Sequence, residues 1–128
     1  MKANEAYNLV KYFEAHYVRF IKNRRPVYIN ARCYVLLVSL YILKSIGSIH
    51  ELARTLDIDP RICHKAVQKL KKYGLINVEK YSQFAILSLK HVTAKALKRL
   101  EKEKDPVFLS VKKQLEEIIR KKWMLTAT

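Results

Sequence analysis

The stretch Cys33–Leu43 is apolar at every position except Ser39. A membrane-spanning helix needs roughly 20 such residues, so this run is far too short to cross a bilayer. A helix apolar nearly all round must be covered on every side, which places it at the centre of a folded domain. Asn30 is a suitable N-cap for it, and Gly47 stands where a left-handed residue would close it. The remaining elements are expected to pack around this segment, and 128 residues fit one domain.

Upstream, Ala6, Leu9, Val10, Phe13, Tyr17, Phe20 and Ile21 recur at steps of three and four, with Lys11, Glu14, Arg19 and Lys22 between them. This spacing predicts a first helix from about Ala3 to Asn23. Tyr7, Tyr12 and Val18 widen its apolar face beyond the needs of one partner surface, so a second subunit is expected there.

Downstream, Ser48 with Glu51 three residues later has the form of a capping box and opens a short helix over Ile49–Leu56. Asp59 followed by Pro60 starts the next helix, which continues to Tyr73 and is stopped by Gly74. Leu75–Lys80 and Phe84–Lys90 are rich in β-formers and flank Tyr81, Ser82 and Gln83, the pattern of a hairpin. Thr93 can cap a helix to Lys104. Asp105 and Pro106 open the last one, with Val107, Phe108, Val111, Leu115, Ile118, Ile119 and Trp123 along one side.

Two short helices joined by Asp57 and Ile58, the second capped and basic, form the unit in which one helix braces another for the major groove. Leu52, Ala53 and Leu56 face Ile62, Cys63, Ala66, Val67 and Leu70, leaving Arg61, His64, Lys65, Gln68 and Lys72 on the opposite face. Arg61 and Lys65 can donate to guanine O6 and N7, Gln68 can pair with adenine, and His64 can donate or accept. Lys69, Lys71 and Lys72 come later, where phosphate contacts are expected.

The stretch SIHELARTLDIDPRICHKAVQKLKKYGLI resembles the helix-turn-helix of winged-helix regulators of the MarR-like group, with the ArsR-like group second. SLKHVTAKALKRLEK resembles the strand and helix start that follow the wing in MarR-like proteins. The likeness by motif runs from Ser48 to Lys102. It implies a mainly α fold with a small β-hairpin: a winged helix-turn-helix core over residues 30–92, an N-terminal dimerisation helix within 1–29 and C-terminal helices over 93–128. It also implies a homodimer, with Leu9, Phe13, Tyr17, Phe20, Val111, Leu115, Ile118, Ile119 and Trp123 as contact residues. Two positions depart from the pattern. Asp57 stands where glycine is usual in the turn, and the wing is short, with Lys80, Tyr81 and Lys90 as its available contacts.

Charge agrees with a polyanionic partner. Lys and Arg number 26 against 11 Asp and Glu, a net charge of +15, which favours nucleic acid first and an acidic membrane surface second; with the helix-turn-helix, the expected partner is double-stranded DNA. Much of it lies outside the capped helix, at Lys2, Lys11, Arg19, Lys22, Arg24, Arg25, Arg120, Lys121 and Lys122, so sequence-independent coating of DNA is an alternative. A winged-helix interaction module of a transcription or replication assembly is another.

Other chemistries find little support. His16, His50, His64 and His91 are scattered without metal-ligand spacing. Glu116 and Glu117 lie on a Lys-rich helix and read as a solvated face. No glycine-rich phosphate loop or nucleophile motif is present, so neither an enzyme nor a cofactor is expected. Cys33 and Cys63 read as buried free thiols, a single bridge being the alternative. The Tyr-rich first two helices could line a pocket for a small-molecule effector, but core packing explains them, and no ligand is identified. Met1–Phe13 lacks the form of a signal peptide, so the expected location is intracellular: cytoplasmic and nucleoid-associated, or the host cytoplasm if viral. The Lys-, Ile- and Tyr-rich, Gly-poor composition is compatible with a thermophilic archaeon or one of its viruses.

Overall fold

The structure, a computed structural model, describes residues 17–81 and 84–127, with side-chain surroundings over 19–80 and 85–122. Its centre is α1 (Ala31–Leu43), in which every residue from Cys33 to Leu40 is buried. Asn30 Oδ1 accepts from the Cys33 N–H at 2.9 Å, the expected N-cap. Ser39 is the one polar residue inside that run, and its hydroxyl donates to the Val35 carbonyl at 2.7 Å. A buried hydroxyl is tolerated when so satisfied.

Around α1 stand α2 (Ile49–Leu56), α3 (Pro60–Lys72), α4 (His91–Lys102) and α5 (Pro106–Ala127). A three-stranded antiparallel sheet in the order β3–β5–β4 comprises β3 (Ser45–Ile46), β4 (Ile76–Tyr81) and β5 (Phe84–Leu89). The β4–β5 hairpin is the wing, in register from Ile76↔Leu89 to Tyr81↔Phe84. This element order, mainly helical with a small antiparallel sheet, is a winged helix-turn-helix.

The N-terminal side differs from the expectation. Tyr17–Asn23 is not the end of a helix. Tyr17–Lys22 is β1, paired antiparallel with β2 (Arg25–Asn30) through the turn residues Asn23 and Arg24. Tyr17, Phe20 and Ile21 satisfy a helical spacing, but Phe20 and its cross-strand neighbours also satisfy a period of two. Phe20 and Ile29 are 1% exposed against the core, while Arg19, Ile21 and Tyr28 face outward. The part of that expected helix before Tyr17, with Leu9 and Phe13, lies outside the described residues, as do the surroundings of the Tyr17, Tyr81 and Trp123 side chains.

Helix ends supply further corrections. α1 closes at Lys44 (φ 72°), whose N–H donates to the Leu40 carbonyl at 2.8 Å, and not at Gly47. The residues after Lys44 are taken by β3, which pairs with β5. α4 begins after Lys90, with no side-chain cap, so Thr93 is a buried helical residue and not a cap. Asp57, Gly74 and Lys104 each take positive φ at a helix C-terminus, with paired bonds back to the last turn: Asp57 N–H to Arg54, Ile58 to Ala53, Gly74 to Lys71, Leu75 to Leu70, Lys104 to Glu101 and Asp105 to Leu100. These are the bonds of a Schellman end. The Asp57 turn is therefore formed without glycine.

Five residues expected at a dimer contact, Phe20, Val111, Leu115, Ile118 and Ile119, are buried within the single chain at 7% exposure or less. α5 carries the last four and packs on α1 and α2. Periodicity marks an apolar face without saying which chain covers it.

At the edge of this packing, Tyr41 meets Phe108 edge to face at 5.7 Å and its hydroxyl donates to Glu101 at 2.9 Å. Lys112 pairs with Glu101 at 3.1 Å and with Glu116 at 3.2 Å, so one polar cluster ties α1, α4 and α5. Cys33 and Cys63 are free and buried. Burial raises their thiols to about 11 and about 12, in Cys33 against the opposing pull of Lys69 and Arg32, so both stay protonated and unreactive at neutral pH. Among the described residues, no helix is long and apolar enough to cross a membrane.

The Tyr34 hydroxyl is buried with no hydrogen-bond partner among the described residues. Such a group costs about 1–3 kcal/mol, so Tyr34→Phe is expected to hold or raise stability in a denaturant melt. A loss above about 1 kcal/mol would show that the hydroxyl is satisfied in solution.

Candidate nucleic-acid interface

α2 and α3 are the helix-turn-helix. The Ser48 hydroxyl accepts from the Glu51 N–H at 3.0 Å, supplying one arm of the expected capping box. Leu52, Ala53 and Leu56 are buried against Cys63, Ala66, Val67 and Leu70, as their spacing requires. The Cys63 thiol lies 3.8 Å from the Ile49 carbonyl, which joins the two helices closely.

With that face covered, α3 turns Arg61, His64, Lys65, Gln68, Lys69 and Lys72 to solvent, and Lys71 with them. No acid occurs between Asp59 and Glu79. The structure thus brings six of the expected DNA residues onto one helix. Lys80, the seventh, is exposed on β4 beside the wing turn, and Tyr81 closes that hairpin opposite Phe84. Lys90 is exposed where β5 gives way to α4.

The N-terminus of α3 is built by Asp59. Its Oδ1 accepts from the Arg61 N–H at 2.7 Å, while the Arg61 guanidinium donates to Oδ1 at 3.3 Å and to Oδ2 at 3.0 Å. The Arg61 side-chain hydrogen bond, with the backbone bond behind it, holds the Asp59 carboxyl below its ordinary value. The pair is open to solvent, with Arg61 89% exposed. Exposed ion pairs are weak, so the guanidinium is free to exchange this carboxylate for a base edge or phosphate. The pair also partly neutralises the acidic cap at the leading end of α3.

Sequence reasoning missed Lys22. From the end of β1 its Nζ donates to the Tyr73 carbonyl at 2.8 Å and the Gly74 carbonyl at 3.1 Å. A cation there satisfies terminal carbonyls and complements the helix dipole. The contact joins the N-terminal hairpin to the far end of α3. An Asn-Gly turn would have announced the hairpin, but the turn here is Asn23-Arg24.

Among the described residues, no group of three or more His, Cys, Asp or Glu could hold a metal ion.

No protein-family model and no curated protein sequence matches the chain. Solved structures do. Lactococcus lactis ZitR carrying a double substitution at a cysteine and a histidine aligns with a TM-score of 0.57 at 18% identity, covering 94% of this chain and 87% of that one. A glutamate-to-alanine form aligns at 0.52 and 19%, and a cysteine-to-serine form in complex with DNA at 0.50 and 20%, both with the same coverage. At such identities the likeness is one of fold, and it extends over nearly the whole chain.

Asp59 can be tested in two ways. Asp59→Ala removes the cap and should lower the melting temperature. Asp59→Asn keeps a capping oxygen, releases Arg61 and removes a negative charge, so it should melt close to the parent and bind duplex DNA more tightly. Because the folded Asp59 pKa is lowered, its contribution is present above the ordinary value of 3.8 and lost as pH falls through the lowered one. The melting difference between Asp59→Ala and the parent should therefore shrink in acid. Equal affinities for Asp59→Asn and the parent would remove this residue from the interface.

Proposed function

We propose that this chain is a DNA-binding transcription regulator that docks α3 in the major groove of duplex DNA. The observation that carries the reading is the exposed, acid-free face of α3, presented by a braced helix-turn-helix in a chain of net charge +15. The DNA complex formed by a ZitR variant of similar fold supports it. Arg61, His64, Lys65 and Gln68 are the base-reading residues in this account, and Lys69, Lys72 and Lys80 hold phosphates. Tyr81 lies at the wing, which is too short to add much sequence reading.

The finer form of the proposal is a MarR-like homodimer acting inside the cell. Since Phe20, Val111, Leu115, Ile118 and Ile119 are used within the chain, Leu9, Phe13, Tyr17 and Trp123 remain as its contact residues. A twofold dimer would place two α3 helices in successive grooves, and its site would be an inverted repeat with half-sites about 34–36 Å apart or a multiple. The spread of charge beyond α3 favours a second reading, sequence-independent coating of DNA.

Selection from a random duplex pool separates the two. The regulator is expected to enrich an inverted repeat and to prefer it about 10³-fold or more over random duplex near 150 mM salt. Arg61→Ala with Lys65→Ala should abolish that preference. Enrichment of no sequence, with binding intact, would establish the coating protein instead.

A further inference from the structure

The tip of the β1–β2 hairpin breaks two local rules at once. Asn23 and Arg24 have φ of 51° and 63°, the two-residue turn that Asn-Gly fills at least cost. Arginine in that second position sets its Cβ against the following carbonyl. The closing pair of the hairpin is Lys22↔Arg25, two like charges directly opposite, which is also unfavourable. Lys44, Asp57 and Lys104 also take positive φ, at helix ends, but at this tip the strain coincides with like charges directly opposite, a combination that points to a site.

Lys22 shows where the tip is held. Its bonds to the Tyr73 and Gly74 carbonyls pin the hairpin to the C-terminus of α3. The Lys90 N–H donates to the Leu75 carbonyl at 3.2 Å, which brings the start of α4 to the same corner. Arg24, Arg25, Lys71, Lys72 and Lys90 are all exposed around it. The described segments that meet at the corner, 17–30, 60–78 and 84–100, contain no Asp or Glu. Among the described residues Arg24 and Arg25 have no ion pair or hydrogen-bond partner for their side chains.

We propose that this corner is a second phosphate-binding surface, in which the hairpin tip grips the DNA backbone beyond the end of α3. The reading rests on α3 being the element in the major groove. α3 has 13 residues, about 20 Å of helix, against a groove about 12 Å wide. Its C-terminus therefore lies past one rim when its N-terminal half reads bases. There the tip meets phosphates, and guanidinium groups match phosphate oxygens in charge and in fork geometry. Arg24 then serves the complex at the expense of the free hairpin.

Arg24→Gly tests this, because the strain and the contact act in opposite directions. In the full chain, glycine should raise the melting temperature and yet weaken duplex binding several-fold, equally for selected and random sequences. The slope of log K against log salt should become shallower by about one. Arg25→Gln, outside the strained position, should show the same loss of slope if the glycine variant folds poorly. Unchanged affinity and slope in both variants would overturn the proposal, and so would a loss confined to one sequence. Arg61→Ala with Lys65→Ala, measured alongside, separates the two levels. Binding that needs Arg61 and Lys65 but not Arg24 or Arg25 sinks this surface alone, whereas a parent chain that binds no duplex sinks the DNA reading itself.

Discussion

The burial of α1 governs the rest of the molecule. Eight consecutive residues from Cys33 to Leu40 are without a solvent face, so α1 is stable only when neighbours enclose it on all sides. α5 covers one side, α3 another, and β5 with the short β3 a third, while the N-terminal hairpin closes the remainder. Each neighbour must then show its own apolar face inward. For α3 this has a direct consequence: Cys63, Ala66, Val67 and Leu70 turn to the core and to α2, and its charged residues can go only outward. The candidate interface is the complement of a packing requirement.

That requirement explains how much was legible in the residues. Elements with both a period and a cap could be read closely. Asp59-Pro60 started α3 where expected, Ser48 started α2, and Asp105 accepts from the Phe108 N–H at 2.9 Å at the start of α5. The face of α3 followed from the same spacing. The first helix-like stretch was ambiguous: Tyr17, Val18, Phe20 and Ile21 are β-formers that also recur at helical steps, and a glycine-free turn concealed the hairpin. Lys44 and Lys104 show the same habit. In a chain with two glycines, lysine, arginine, asparagine and aspartate occupy left-handed positions at a cost that sequence rules count against them.

A different limit applies to the dimer residues. Val111, Leu115, Ile118 and Ile119 form an apolar stripe at helical spacing, which the sequence offers to a second subunit and which is already buried within the chain, where α5 packs on α1 and α2. Lys22 marks the opposite case. Its value lies in a contact 51 residues away in sequence, and no local pattern reports such a contact. The site on α3 was visible because it belongs to one helix, and the basic corner was not because three separate segments make it.

The central claim is that α3 is the element that meets DNA. The most direct measurement is a titration of isotope-labelled protein with a short duplex, followed by amide chemical shifts. The account predicts the largest changes over Arg61–Lys72, smaller ones at the wing around Lys80, and little at the buried residues of α1. Duplex binding that leaves the α3 amides unmoved, or a chain that does not bind duplex DNA, would contradict it.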